Sequence, residues 1–168
     1  MTYRMHHLTI DSPVGRILLI AEEEVLTRLE FVGRPHARGI PEDASVGSAF
    51  LDEVHRQIEA YFSGSCHTFN VPLRLKGTPF QKSVWQALLE IPFGAVSSYG
   101  RLAAQIGRPT AIRAVGAANG LNPISIIGPC HRIIGENGHL TGYAGGLEAK
   151  QWLLQHEGHR VESGLVRT

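Results

Sequence analysis

Thr78-Pro79-Phe80-Gln81-Lys82-Ser83-Val84-Trp85 reads as the start of a helix. Thr78 offers a capping hydroxyl. Pro79 suits the first helical position, where a backbone N–H has no partner to lose. Gln81 stands where its side chain can reach back to the cap. Phe80, Val84, Trp85 and Leu88 then follow at helical spacing, and Ile91-Pro92-Phe93-Gly94 ends the segment. This stretch makes the second part of the chain helical.

Toward the C-terminus, Tyr99 to Ile106 forms a short helix behind Ser98. Gly107-Arg108-Pro109 turns the chain, and Thr110 is placed to cap a further helix over 111–119. Two short helices around a glycine-containing turn resemble a helix-turn-helix, and equally an ordinary helical hairpin. The second helix has small side chains at Ala111, Ala114, Gly116, Ala117 and Ala118, with Arg113 as its one long charged residue. Such a surface can approach a partner closely, but without a dense Lys/Arg cluster it does not indicate a repressor-style major-groove reader.

Asn119-Gly120-Leu121-Asn122-Pro123 is a turn cluster, Ile124 to Ile127 a short strand or extended piece, and Gly128-Pro129-Cys130-His131-Arg132 follows. Cys130 therefore lies where buried chain changes direction. A cysteine becomes a nucleophile when a base or cation favours its thiolate. His131 can serve as the base and Arg132 adds positive potential, although an isolated Cys-His pair also fits a buried structural cysteine beside a surface histidine. After a glycine-rich stretch the last helix spans 147–157 and stops at Gly158. Glu157 opposes the helix dipole there. It is either solvated or hydrogen-bonded to His131, fixing the ring's tautomer in a nucleophile-base-acid relay.

The first part of the chain reads as strands, over 7–10, 16–21 and 25–32, followed by a loop over 33–45 and a helix over 46–62 carrying Phe50, Leu51, Val54, Ile58, Tyr61 and Phe62. Thr68 to Leu73 is extended, and Arg74-Leu75-Lys76-Gly77 is the expected junction. The whole is an α/β chain of 168 residues with 43% apolar content. Residues 1–76 carry 8 basic and 10 acidic side chains, net −2, and residues 77–160 carry 7 and 4, net +3. The second part is thus the better candidate for meeting a polyanion. Two cysteines, Cys66 and Cys130, make no disulfide framework, and neither has a zinc spacing. With no secretory pattern and no long apolar run, the expectation is a reduced intracellular protein without a membrane span or structural metal.

Pro129-Cys130-His131-Arg132, with Asn122-Pro123 before it and Gly142-Tyr143-Ala144-Gly145-Gly146-Leu147 and Lys150 after it, resembles the O6-alkylguanine-DNA alkyltransferases, or methylated-DNA–protein-cysteine methyltransferases. Phe80 to Trp85, Ile91 to Gly94 and Ser98-Tyr99 also match, so the resemblance covers about residues 77 to 158. It implies a ribonuclease H-like α/β domain over 1–76 and a mostly helical domain with a helix-turn-helix over 77–168. It further implies cytoplasmic repair of double-stranded DNA by one irreversible transfer from O6-alkylguanine, and less well from O4-alkylthymine, to Cys130. No cofactor, metal, membrane or obligate protein partner is implied, and the protein is expected to be a monomer.

The base must leave the stack to be reached. The resemblance assigns Arg113 to the vacated space, Tyr99 to turning the nucleotide and protonating the leaving guanine, and minor-groove contact to Thr110, Ala111, Ala114 and Ala118, with Arg132 also meeting DNA. His131, through water and oriented by Glu157, takes the thiol proton, Asn122 braces the turn, and Lys150 assists electrostatically. Ile133, Tyr143, Ala144 and Gly145 form the base pocket, with the carbonyls of Cys130 and Ile133 reading the guanine amino group. Ile133 stands where valine is common, and Ala144 where some relatives carry serine. Two other readings are a lesion-binding module that signals to another pathway, which Cys130 argues against, and a thiol hydrolase using Cys130, His131 and Glu157.

Overall fold

The computed structural model describes residues 3–168, so the first two positions of the expected 1–76 domain lie outside it. The chain divides into two compact units, the first ending at Leu75 and the second beginning at Lys76.

In the first unit, β1 (Met5–Ile10), β2 (Ile17–Glu22) and β3 (Val25–Phe31) form an antiparallel meander, and the short β4 (Ser45–Val46) pairs in parallel with β1. The sheet order is β3-β2-β1-β4. β2 is central in the meander, and all six of its residues are buried, which explains its unbroken Ile-Leu-Leu-Ile-Ala run. Helix α1 (Ala49–Phe62) begins three residues later than its periodicity suggests, because Ser45 and Val46 are taken into the sheet and Ser48 supplies the cap, its hydroxyl accepting from Leu51 N–H. Leu51, Val54, Ile58 and Tyr61 make its buried stripe. One sheet with one helix is the expected α/β character of this part.

The second unit begins with α2 (Pro79–Leu89), whose capping box is fully formed: Thr78 Oγ1 accepts from Gln81 N–H, and Gln81 Oε1 accepts from Thr78 N–H. Helices α3 (Tyr99–Gln105) and α4 (Ile112–Gly120) make the helix-turn-helix. Trp85 lies against α4 and donates its indole N–H to the Ala118 carbonyl at 2.8 Å. Thr110 is not the cap. The turn closes one residue later, with Ala111 N–H donating to Arg108 C=O, so Ala111 takes the cap position without a side-chain bond.

The expected strand or extended piece over 124–127 is instead a tight turn. Ser125 and Gly128 form an isolated bridge, and Ile126 sits at φ 73°. A single 3-10 turn, Cys130–Arg132, follows, and then α5 (Leu147–His156), with Glu157 at its C-cap. The sequence reading gave no sign of the final hairpin, β5 (Arg160–Glu162) and β6 (Leu165–Arg167), which turns through Ser163 and Gly164 at positive φ. Its Val166 packs with Ile134 and Leu154, flanked by Val96, Leu140 and Val161. This small cluster braces α5, and with it the position of Glu157. Among the described residues no helix is long and apolar enough to cross a membrane.

Candidate active site

Cys130 opens the 3-10 turn and is 5% exposed. The loop before it is tightly fixed. Asn122 Nδ2 donates to the carbonyls of Gly128 (2.8 Å) and Ile124 (3.4 Å), while its Oδ1 accepts from Ile124 N–H at 3.1 Å. A Cβ at Gly128 would lie 2.9 Å from the Ile124 carbonyl oxygen and 3.1 Å from Asn122 Oδ1, so only glycine fits. Ile126, β-branched and buried, is held in the left-handed region, a conformation costing about 1–3 kcal/mol. Asn122 therefore braces a strained turn.

Behind Cys130 lies a closed network of charge. His131 Nε2 meets Glu157 Oε2 at 2.8 Å, and both side chains are fully buried. Arg132 donates to the same carboxylate through Nε (2.7 Å) and Nη2 (3.0 Å), and through Nη1 to the Ile91 carbonyl. Burial alone would push the Glu157 carboxyl up, but the hydrogen bonds from His131 and Arg132 outweigh it and hold the group well below the carboxylate range. Glu157 is thus ionised. Burial pushes His131 down despite the carboxylate beside it, so the ring is neutral. Its Nε2–H faces Glu157, which leaves Nδ1, without a partner among the described residues, as the basic nitrogen. Tyr143 stands edge-on to this ring, with centroids 6.3 Å apart.

Burial raises the Cys130 thiol, while the Asn122 and Ser125 side chains and the Lys150 ammonium pull the other way. Lys150 is 1% exposed, and desolvation lowers it from 10.5 to about 8. Its Nζ donates to Thr141 Oγ1 at 2.8 Å and to the Thr141 carbonyl at 3.2 Å. The resting thiol is therefore protonated, beside a neutral imidazole and a buried cation that favours the thiolate once it forms.

Around this centre the sequence candidates fall in several places. Ile133 is fully buried, and its carbonyl accepts the Thr141 hydroxyl at 3.4 Å. Tyr143, Ala144 and Gly145 form the turn closed by Gly146 N–H to Tyr143 C=O, directly before α5. Tyr99 begins α3, and its ring packs over α4, 3.5 Å from where a Cβ on Gly116 would stand. Arg113 and Ala114 are exposed on α4, Thr110 is exposed before it, and Ala111 is half-buried.

Two expected DNA contacts are corrected. Ala118 is 3% exposed, because Val115, Ala118 and Asn119 share the core face of α4, so Ala117 takes its place on the outer face. Arg132 is turned inward and clamps Glu157 rather than reaching a surface. Ser125 and Thr141 were missed. Ser125 gave a faint signal as the polar residue within an apolar run. Thr141 gave none, since only the fold brings it to Lys150. Among the described residues no His, Cys, Asp and Glu side chains gather as metal ligands.

The family model described as the 6-O-methylguanine DNA methyltransferase DNA-binding domain matches residues 79–159, and the ribonuclease-like domain of the same family matches residues 5–75. A methylated-DNA–protein-cysteine methyltransferase of Methanosarcina acetivorans is 49% identical over 154 residues, covering 92% of this chain and 99% of that protein. One from Mycobacterium tuberculosis is 47% identical over 162 residues, covering 96% and 98%. The crystal structure of the M. tuberculosis O6-methylguanine methyltransferase superposes with a TM-score of 0.82 at 46% identity, covering 91% of this chain and 92% of that one. A crystal structure of the M. tuberculosis protein in complex with DNA gives 0.83 at 48% identity, covering 90% and 92%.

Proposed function

Since the chain belongs to the 6-O-methylguanine DNA methyltransferase family, we propose that it repairs DNA by moving the alkyl group of O6-alkylguanine onto Cys130. Residues 1–76 act as the ribonuclease-like domain and residues 77–168 as the alkyltransferase domain, working on DNA in the cytoplasm. The observation that carries the reading is the buried Cys130 followed by His131 on the Glu157–Arg132 carboxylate clamp.

The chemistry follows from that geometry. With Nε2–H committed to Glu157, His131 Nδ1 takes the thiol proton, through a water. The ionised carboxylate stabilises the imidazolium that results. Lys150 offsets the negative charge on sulfur as it attacks the alkyl carbon. The bond from that carbon to guanine O6 breaks, its electron pair passes into the purine, and Tyr99 supplies the proton that neutralises the leaving base. Thr110, Ala111 and Ala114 meet the minor groove, Arg113 fills the space left by the turned-out nucleotide, and Ile133, Tyr143, Ala144 and Gly145 wall the pocket. The product is a thioether, with no hydrolysable bond and hence no second turnover. O4-alkylthymine enters the same pocket less well.

The test is intact-mass analysis with peptide mapping after mixing the protein with a duplex holding one O6-methylguanine. One methyl on Cys130, saturating at one per protein, is expected. A protein that retards the duplex but keeps its mass is a lesion-binding module instead, and multiple turnovers on small esters point to a thiol hydrolase.

A further inference from the structure

Thr141 lies in the stretch before α5 and has no part in the relay of Cys130, His131 and Glu157. Its hydroxyl nevertheless accepts from Lys150 Nζ at 2.8 Å and donates to the Ile133 carbonyl at 3.4 Å. One hydroxyl can do both at once, because it carries two lone pairs and its own proton. Its main-chain carbonyl accepts from the same ammonium at 3.2 Å. A lysine 1% exposed needs acceptors for its N–H groups, and among the described residues no carboxylate pairs with this one. Helix α5, which carries it, packs against the 3-10 turn, and its charge acts on Cys130 and His131 there.

We propose that Thr141 is a positioning residue for the alkyl transfer: its hydroxyl seats the Lys150 ammonium behind Cys130 and ties it to the Ile133 carbonyl in the wall of the base pocket. The inference rests on the alkyl-transfer reading and adds to it a link between the cation that favours the thiolate and the backbone that meets the base. The groups facing Lys150 are the Cys130 thiol and the His131 ring from the 3-10 turn, with Glu157 and Arg132 beyond the ring paired to each other. The charge of Lys150 therefore depends on the two Thr141 oxygens and on the sulfur. A valine at 141 keeps the shape and removes one of those oxygens. The ammonium, less well solvated, then gives up its proton at lower pH.

The experiment is a single-turnover pH–rate profile of methyl transfer from an O6-methylguanine duplex, run on the wild type, Thr141→Val and Thr141→Ser. Each curve is normalised to its own burst amplitude, so an inactive fraction does not move the midpoint. Wild-type rates should fall on the alkaline side with a midpoint near the Lys150 value of about 8. Thr141→Val should lower that midpoint by about one pH unit, the size expected for one hydrogen bond to a charged group, and slow transfer at pH 8 by roughly fivefold. Thr141→Ser should restore the wild-type curve, and Thr141→Ala, which cannot crowd the site, should match valine. An unmoved midpoint in Thr141→Val, or serine behaving as valine does, overturns the role of Thr141 while leaving the transfer reading intact. A wild type whose Cys130 stays unmethylated overturns both.

Discussion

Replacing Lys150 by methionine should make the protein more stable and less able to repair. Lys150 is 1% exposed, and its drop from 10.5 to about 8 corresponds to roughly 3 kcal/mol against holding the charged form, at about 1.4 kcal/mol per pH unit. Methionine fills a similar volume without that charge. The change leaves the Thr141 carbonyl and hydroxyl without their donor, which returns about 1–2 kcal/mol of the gain. The net is a stabilisation of about 1–2 kcal/mol at pH 7, or a rise of roughly 2–8 °C in the melting temperature of the 168-residue chain. The dependence on pH is more diagnostic. Below pH 8 lysine is charged both folded and unfolded, so the full penalty applies to the wild type. Between about 8 and 10.5 the folded protein sheds the proton and the unfolded chain keeps it, so wild-type stability rises with pH. Above 10.5 both are neutral and the penalty is gone. Calorimetry of both proteins from pH 7 to 10 should therefore show the advantage of Lys150→Met shrinking as pH rises, and single-turnover methyl transfer should be slower by about tenfold or more. A variant less stable than wild type at pH 7, or a gap that ignores pH, refutes this account of the buried ammonium.

Glu157→Gln strands the buried Arg132 guanidinium and should cost about 3–5 kcal/mol at neutral pH. The native carboxyl sits below its ordinary 4.5, so this difference, read by urea unfolding, should be full above pH 4.5 and shrink as the wild type is acidified below it. Arg113→Ala, on an exposed position of α4, should change stability by less than about 0.5 kcal/mol. It should slow transfer from duplex DNA at least tenfold, since unstacking costs a few kcal/mol, and leave transfer from the free base O6-methylguanine unchanged; equal losses on both substrates would contradict a role in extrusion. Asn122→Ala removes the brace across the turn at Ile126 and should cost about 1–3 kcal/mol, with faster amide exchange confined to residues 124–130.

What the sequence discloses here is what its neighbours in the chain decide. The Thr78–Gln81 capping box is complete within four residues, and the structure contains it as read. The meander is equally local, since short apolar runs bounded by turn residues specify it. The errors come from interactions that close over longer distances. The inward face of α4 is set by Trp85, 33 residues from Ala118 in the chain, whose indole N–H donates to the Ala118 carbonyl, and Ala118 lies in the core for that reason. Arg132 beside a nucleophile suggests external positive charge until Glu157, distant in the chain, takes its Nε–Nη2 edge and the Ile91 carbonyl takes Nη1. The hairpin at 160–167 is too short for periodicity to register, and it owes its existence to Ile134 and Leu154.

The enclosure of Cys130 bears on how long the protein stays usable before it meets a lesion. A thiol raised by burial is scarcely ionised at rest, and thiolate is the form that peroxides and stray electrophiles consume. For a catalyst that turns over, such quietness would only be a handicap. A molecule spent by its first reaction has the opposite need, because alkylation by a stray electrophile disarms it as permanently as the right partner does. The same walls that make Cys130 a sluggish general nucleophile act as its preservative, giving the unspent protein a shelf life.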